Sequence, residues 1–438
     1  MKKSLLFNFF IFSWFCAAQE KKDSIRESDG VAIEKLTYKQ QPGLALAASK
    51  IFFSENRYSI SGFGEFNYVP LQTNLNKEVG DLELYYTGLY RAATFFGYRI
   101  TDKLIWNSEF QVEFLHDGTN ESHSEIVIEA FVDYLFKDYL KGRIGFYPLT
   151  IGYVNNNDEP VMFYSVNRAE VERIIIPSTW IEFGVMFYGN ITPTLNYAIG
   201  FSQGLNSENY NGGTWIRQGR EIRLDAPQSI SVNPQINYTG INNLTLSASG
   251  YFGNSGQGGM VVNDSFEPEE VKATISLGSA YAKYNWENFS FVTVGTYGKL
   301  SDTDKIYLQT ADDEGVGQVL GSEVYGYLFE TGCDILPYIR KGRNSNNEHN
   351  DNWFYNPGEM KFNLFLRYER LNTHASVHGD LQFLPRNESD MKIWTTGFNF
   401  NTKENIVFKA NYQYRNNNFS GDLNPSKNII EVGVGFIF

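Results

Sequence analysis

The sequence predicts an all-β protein, a transmembrane antiparallel β-barrel with short periplasmic turns and long extracellular loops. Three observations favour this class: long segments that alternate apolar and polar residues, connections that alternate short and long, and an aromatic content of 16% in 438 residues. The alternating segments run to about 10 to 15 residues, whereas strands of soluble proteins usually have about five or six. Alternating connection lengths are typical of a barrel whose two rims face different compartments.

The period of two is clear in the third predicted strand. Trp106, Phe110 and Phe114 fall on one face, and Glu109 and Glu113 fall on the other, as in a strand with one apolar and one polar side. Segments of this kind begin near residues 57, 84, 103, 124, 141, 179, 194, 228, 243, 271, 288, 322, 359, 390, 404 and 428. Their number, about sixteen, is even, as expected of a bacterial barrel. A soluble β-sandwich also alternates, so the decision for a membrane barrel depends on segment length.

The connections support the same topology. Short ones are predicted at Thr101-Asp102, Thr192-Pro193, 241–243, 286–288 and 402–404, and long ones at 69–83, 154–178, 206–227, 255–270, 301–321 and 416–427. One connection, 339–358, falls on the short-turn side and yet is long. The pattern therefore leaves open a miscounted strand at that point.

The first 18 residues are predicted to be a secretory signal peptide. Lys2 and Lys3 precede an apolar run, and Cys16-Ala17-Ala18 forms a small-residue cleavage site. A lipoprotein anchored at Cys16 is the alternative, disfavoured because Phe15 is bulky. Residues 19–56 are predicted to form a periplasmic N-terminal segment, in which Leu44 to Phe53 is a short helix or strand against the barrel wall. The barrel itself is expected over 57–438.

The net charge and the C-terminal residues indicate which partners the chain binds. The formal net charge of −13 argues against nucleic acid, because phosphate backbones bind to basic surfaces. Val434, Phe436 and Phe438 share one face of the last predicted strand and resemble the C-terminal signal that the barrel-assembly machinery reads. An ordinary amphipathic strand that ends in an aromatic residue is the alternative.

Aromatic residues near the predicted strand ends suggest girdles at the membrane surfaces. These residues are Tyr85, Tyr86, Tyr98, Tyr134, Tyr139, Trp180, Tyr188, Trp394 and Tyr414. Any single one of them is equally compatible with a core position, so the prediction concerns the group.

Several segments resemble the phosphate-selective porin O/P family as found in Bacteroidota. They are Asn155-Asn156-Asn157-Asp158-Glu159-Pro160, Phe163-Tyr164-Ser165-Val166-Asn167-Arg168, Glu170-Val171-Glu172-Arg173, Ile176-Pro177-Ser178-Thr179-Trp180, Ser59-Ile60-Ser61-Gly62-Phe63-Gly64-Glu65, Trp215-Ile216-Arg217-Gln218-Gly219-Arg220 and Gly253-Asn254-Ser255-Gly256-Gln257-Gly258. The resemblance implies an outer-membrane barrel, assembled as a homotrimer, whose longest loop folds inward and narrows the pore.

A pore constriction is predicted from the residues of two loops: Asp158, Glu159, Arg168, Glu170, Glu172, Arg173, Arg217, Arg220 and Arg223. Phosphate selectivity needs a ladder of Arg and Lys, because the pore must replace the hydration of the anion. In the first loop carboxylates outnumber guanidinium groups, which is not an anion ladder.

The lumen wall is predicted to carry charges of both signs. The acidic residues are Glu109, Glu113, Glu125, Glu129 and Asp133, and the basic ones, on later strands, are Lys361, Arg367, Lys409 and Arg415. Facing each other, they would create a transverse field that orders water and zwitterionic solutes. The alternative is that these charges only solvate the interior.

Neither an enzyme nor a cofactor or metal site is expected. His374 and His378 flank Ser376, but this spacing in a strand or loop does not bring two imidazoles to one metal, and Ser376 lacks a nucleophile-elbow motif. The carboxylates at 312–314 and 267–270 lack the spacing of a calcium loop.

The function predicted from the sequence is therefore passive diffusion through an outer-membrane porin embedded in lipid. Its cargo would be small hydrophilic solutes or ions, phosphate and other anions included. A non-conducting barrel that serves as a binding or structural platform is the alternative, and a soluble all-β protein is a weaker one.

Overall fold

The computed structural model describes residues 39–72, 88–116, 122–221, 227–262, 266–340, 354, 356–417 and 428–438. They belong to one unit, 38–438. The predicted signal peptide lies outside the described residues, as does the predicted periplasmic segment up to residue 38. No helix in the described part of the chain is long and apolar enough to span a membrane.

The strands, numbered in chain order, are β1 Tyr58–Gln72, β2 Gly88–Arg99, β3 Leu104–His116, β4 Ser122–Lys137, β5 Leu140–Pro148, β6 Ile181–Thr192, β7 Leu195–Gln203, β8 Ile230–Ile241, β9 Leu244–Gly253, β10 Met260–Val262, β11 Pro268–Glu270, β12 Ile275–Trp286, β13 Phe289–Leu300, β14 Gly321–Asp334, β15 Lys361–Val377, β16 Asp390–Lys403, β17 Ile406–Asn417 and β18 Asn428–Ile437. Short helices occupy Glu170–Ile174 (α1), Thr303–Gln309 (α2) and Leu336–Ile339 (α3), and 3-10 helices occupy Ala47–Phe52, Val154–Asn156, Ser207–Asn209, Arg217–Gly219 and Gly379–Leu381.

Sixteen of these strands close into one barrel, in which chain neighbours pair along the wall and β1 closes against β18. Every pairing is antiparallel, and the closing register sets Phe63 opposite Ile437. β9 pairs directly with β12, because β10 and β11 form a separate hairpin inside a long connection. The predicted fold class and strand count are confirmed, and each predicted strand start lies within four residues of the observed one.

The connections obey the predicted alternation. Two residues join β4 to β5, β6 to β7, β8 to β9, β12 to β13 and β16 to β17 at one rim. Asn243, with φ 62°, occupies one of these turns, and asparagine tolerates the left-handed conformation better than most residues. The long connection that raised the question of a miscounted strand joins β14 to β15 and contains α3, while the barrel keeps sixteen strands.

The two faces of the wall have opposite polarity. In β3, Phe110 is 52% exposed on the outer face, whereas Glu109 is 7% exposed on the inner face. Large apolar side chains are exposed outward around the described barrel, among them Ile60, Ile126 and Phe329. Such a surface is stable in contact with lipid and not with water.

The predicted aromatic girdle is right for some residues and wrong for two. Tyr98, Tyr139 and Trp394 are exposed on the outer face, whereas Trp180 and Tyr188 are buried. Trp180 packs against Tyr251 with ring centroids 4.4 Å apart. Tyr188 lies on the inner face of β6 and its hydroxyl donates to Asp133 at 2.7 Å. Tyr85 and Tyr86 lie outside the described residues.

The face predicted for the last strand is confirmed. Phe436 and Phe438 are 45% and 49% exposed on the outer side, with Val434 on the same face. Gly433 and Gly435 point inward, where an added Cβ would meet Val166 and Pro160 respectively. The C-terminal strand is therefore apolar toward the membrane and flat toward the lumen.

Candidate functional site

One long connection crosses the interior of the barrel. This inward loop, residues 149–180, leaves β5 and returns to β6. Val166 N donates to Asn411 Oδ1 on β17 at 2.7 Å, and Asn167 Nδ2 donates to Glu431 Oε1 on β18 at 2.6 Å. Because β17 and β18 are distant from β5 around the wall, the loop spans the lumen rather than covering its mouth.

The far side of the inward loop is held by charged residues of β15 and β17. Glu170, in α1, accepts from Arg415 Nη2 at 2.7 Å and from Arg173 Nη1 at 3.3 Å. The backbone N–H of Val171 donates to Glu369 Oε2 at 3.0 Å. This end of the loop therefore binds the wall through a group of compensated charges.

Three of the four cations predicted for the lumen wall bind this loop. Besides Arg415, Arg367 donates to Ser165 Oγ at 2.6 Å and Lys409 donates to the Ser165 carbonyl at 2.9 Å. Arg367 also pairs with Glu369 at 2.8 Å. Lys361 is exposed at the start of β15. The inward loop thus lies between these cations and the acidic strands that they were expected to face.

The near side of the loop is held by Arg91, which sequence reasoning missed. Its guanidinium contacts Glu65 Oε1 at 2.8 Å, Asp158 Oδ2 at 3.0 Å and the Asp158 carbonyl at 2.6 Å. Glu65 and Arg91 are direct partners in the pairing of β1 with β2. Their positions on the polar faces of adjacent predicted strands were a signal that could have identified the pair.

Two predicted constriction residues, Glu159 and Glu172, are buried and bind backbone. Glu159 accepts from Leu46 N at 2.8 Å and from Ala47 N at 2.7 Å, and burial raises its pKa to about 8. Glu172 accepts from Val154 N at 2.8 Å and also from Tyr153 N, and burial raises its pKa to about 7. These carboxyl groups hold the loop in its conformation, as buried acceptors of N–H groups do.

A second loop also enters the lumen. This arginine loop, residues 204–229, is anchored by the buried Trp215, whose Nε1 donates to the Gly321 carbonyl at 3.1 Å. The Trp215 ring packs so close to Gly298 that a Cβ at that glycine would lie 2.5 Å from it. A larger residue at position 298 would therefore displace the anchor.

The arginine loop clamps the end of the inward loop. Arg217 Nη1 donates to the Arg173 and Ser178 carbonyls at 2.8 and 2.9 Å, and Arg220 Nη1 donates to the Thr179 carbonyl at 2.6 Å. Arg223 lies outside the described residues. Both described arginines thus have a structural role in addition to any effect on solutes.

Between the loops and the wall lies a cavity of about 80 Å³ lined by charges of both signs. Its acidic residues are Glu65, Glu109, Glu113, Glu129 and Asp158, and its basic residues are Arg168, Arg173, Arg217 and Arg220. The acidic residues come from the first strands and the near part of the loop, and the basic ones come from the far part and the arginine loop.

Arg168 is bound differently from the other arginines of the cavity. Its Nη1 donates to the neutral hydroxyl of Thr179 at 2.7 Å. Burial, followed by the positive charge of Arg91, lowers the pKa of Arg168 to about 10, while Asp158 opposes this shift. The group remains cationic at neutral pH and presents its charge to the cavity.

The remaining predicted lumen residues lie in or near this wall. Asp133 is buried beside Arg143, 3.1 Å from its Nε. The side chain of Glu125 lies outside the described residues.

His374 is buried, with Nε2 2.9 Å from the Val319 carbonyl. Within the ranges described, no group of three or more His, Cys, Asp or Glu side chains is arranged to hold a metal ion.

Comparison of the sequence with known proteins gives a relative but no family. No family model matches the chain. An uncharacterized protein of Aquifex aeolicus (strain VF5) is 28% identical over 382 residues, which cover 86% of this chain and 79% of that one.

Solved outer-membrane proteins share the architecture at low sequence identity. The outer membrane channel DcaP of Acinetobacter baumannii is 12% identical with a TM-score of 0.50, over 87% of this chain and 97% of that one. OmpF of Salmonella typhi is 11% identical with a TM-score of 0.49, over the same shares of the two chains. The closed wall, its apolar outer surface and the likeness to DcaP identify this chain as a sixteen-stranded β-barrel of the outer membrane.

Proposed function

We propose that this chain is an outer-membrane porin through which small hydrophilic solutes and ions diffuse passively. The observation that carries the proposal is the charged cavity between the inward loop and the wall, with Glu113 and Asp158 among its acids and Arg168 among its bases. A narrow polar passage in an otherwise apolar membrane protein suits solutes that exchange water for charged hydrogen bonds.

The arrangement of charge favours a general porin over a phosphate-selective one. Carboxylates and guanidinium groups line the same cavity from different elements, which produces a field across the passage. We propose that the field orients dipolar and zwitterionic solutes. Phosphate and other anions would pass without preference, because the carboxylates repel an anion where the arginines attract it.

The alternative function is a non-conducting platform in the outer membrane. It is favoured by the small volume of the cavity and by the two loops that occupy the lumen around it. In that case the long loops would bind surface partners while the interior served only to brace them.

Planar-bilayer recording of the detergent-refolded protein separates these functions. A general porin is expected to give stepwise openings, a small reversal potential in a salt gradient, and little block of chloride current by added phosphate. Strong anion preference with phosphate block would show that the carboxylates do not line the conducting path. Absence of openings, with a mock-refolded detergent sample as the control, would establish the platform.

The assembly state and membrane insertion remain proposals based on the family resemblance. We propose a homotrimer, and recognition of Val434, Phe436 and Phe438 by the barrel-assembly machinery. Cross-linking in native outer membranes should give a trimeric band. Replacing Phe438 with alanine should lower the amount of folded protein in the membrane, and replacing Phe266, an exposed aromatic in a loop, should not.

A further inference from the structure

An N-terminal segment lies inside the barrel. This strap, residues 39–54, includes the 3-10 helix Ala47–Phe52 and precedes β1. Leu44, Ala47 and Ile51 are at most 1% exposed. The expected short helix against the barrel wall is therefore present, and its described contacts are with side chains of the lumen.

The C-terminal part of the strap packs on inward-facing residues of β1, β2 and β3. A Cβ at Gly97 would lie 2.5 Å from Ile51 Cβ. Asn107 Nδ2 donates to the Ala48 carbonyl and Ser61 Oγ donates to the Ala47 carbonyl, each at 2.7 Å. The glycine thus provides space for the strap, and polar wall residues bind its backbone.

The N-terminal part of the strap contacts the inward loop. Arg143 Nη1 donates to the Pro42 carbonyl at 2.9 Å, and Gln40 donates to the Asn156 carbonyl. Both oxygens of Glu159 accept strap N–H groups, those of Leu46 and Ala47. The strap therefore makes hydrogen bonds to the wall and, at its centre, to the inward loop.

We propose that the strap is a displaceable inner wall that narrows the pore, and that Glu159 of the inward loop is its latch. The inference rests on the proposed porin function, because a narrowing matters only where solutes pass. The strap occupies part of the cross-section of the lumen beside the inward loop. Its release would therefore widen the passage on the side of β1 to β3.

The latch makes docking depend on pH. Burial raises the pKa of Glu159 to about 8, an effect that Asp158 reinforces and that Arg91 and the N–H groups of the strap oppose. Release of the strap hydrates the carboxyl group and returns its pKa toward the ordinary range, so release also liberates a proton. Release should therefore become easier by up to about tenfold per pH unit between about 5 and 8.

Thiol labelling tests this coupling without relying on conductance. In a background with Cys16 and Cys333 replaced by serine, Ala48→Cys places a thiol at a position that is 4% exposed. A charged aqueous thiol reagent should label it slowly at pH 6 and faster at pH 9. Glu159→Gln, which stays uncharged at every pH as the protonated glutamic acid is, should remove the part of the pH dependence that exceeds ionisation of the thiol itself. Glu172→Gln, on a buried glutamate of the same loop that binds loop backbone, is the matched control and should retain it.

A disulfide across the docked contact tests the effect on the pore. In Ile51→Cys with Gly97→Cys, in the same background, the two Cβ atoms would lie 2.5 Å apart. Disulfides need about 3.5–4.5 Å, so the bond forms once the strap moves away from β2 by about 1 Å. Oxidation, which holds the strap in its docked position, should lower the single-channel conductance, and reduction should restore it. The single variant Ile51→Cys controls for the loss of the isoleucine.

The outcomes distinguish the two proposals. Conductance that is identical in the oxidised and reduced double variant, with Ala48→Cys labelling equal in the Glu159→Gln and parent proteins, would overturn the latch while leaving the porin function intact. Labelling that follows pH and Glu159 as expected in a protein without any conductance would retain strap release and overturn the porin function.

Discussion

The two ends of the inward loop are attached to the barrel by different chemistry. At the far end, Glu170 has two guanidinium partners, Arg415 and Arg173, so its charge is compensated twice. At the near end, Glu159 accepts backbone N–H groups and has a raised pKa. The comparison indicates that the Glu170 contact is held by charge pairing, whereas the Glu159 contact should weaken as the carboxyl group loses its proton.

Arg91 holds the near side of the loop by ion pairs, and its replacement should lower the stability of the protein most. Arg91→Ala leaves the buried Glu65 and Asp158 without their shared guanidinium, and breaking a buried pair costs about 3–5 kcal/mol. Arg415→Ala leaves Glu170 with Arg173 and should cost less, about 1–3 kcal/mol. Urea unfolding in detergent micelles measures both. An equal loss would contradict the redundancy of the far end, and Lys103→Ala, in an exposed turn, controls for charge removal.

The clamp of the arginine loop should have an intermediate effect. Arg217→Met keeps the length of the side chain but leaves the Arg173 and Ser178 carbonyls without this donor, a loss of about 1–3 kcal/mol. Limited proteolysis should then cut the inward loop near Arg173 and Ser178 more readily. Arg386→Met, at a partly exposed pair with Glu388, should leave the cleavage rate unchanged. Cleavage confined to the segment around Asp158 and Glu159 would show that Arg217 does not hold the part of the loop that it contacts.

The smallest effect is expected at Glu172. Its pKa of about 7 lies above the ordinary value for glutamate, so the folded loop is favoured when the group is protonated. This stabilisation is complete below about pH 4.5 and is lost as pH rises to about 7. Protection of the inward loop from protease should therefore decline over that window. Glu172→Gln should flatten the decline, and an unchanged slope would assign it to another group.

The sequence predicted the barrel well because every strand repeats the same local signal. Alternation in segments such as 406–415 depends only on which face meets lipid, so strand number, face and short turns could be inferred without knowledge of contacts. Trp180 and Tyr188 were assigned to the membrane surface because they lie near predicted strand ends. Proximity to a strand end does not reveal that loops fill the lumen and bury aromatic residues there.

Residues of the candidate site could be proposed from the sequence, but their contacts could not. Asp158, Arg168 and Arg217 were expected in the constriction and line the cavity. Arg367 and Lys409 were expected to face an acidic wall, but they bind Ser165 of the inward loop. Such pairings depend on where a loop of about thirty residues crosses the barrel, and no local pattern encodes that path.

Reversal potential in a salt gradient tests most directly whether solutes pass between an acidic and a basic side. Arg168→Ala should shift the selectivity of the pore toward cations, and Glu113→Gln should shift it toward anions, because each removes one of the opposed charges that line the cavity. Lys299→Ala, an exposed residue on the outer face, is the control and should leave the potential unchanged. Opposite shifts are the predicted result. Equal potentials in all four proteins would show that the conducting path, if present, bypasses this cavity.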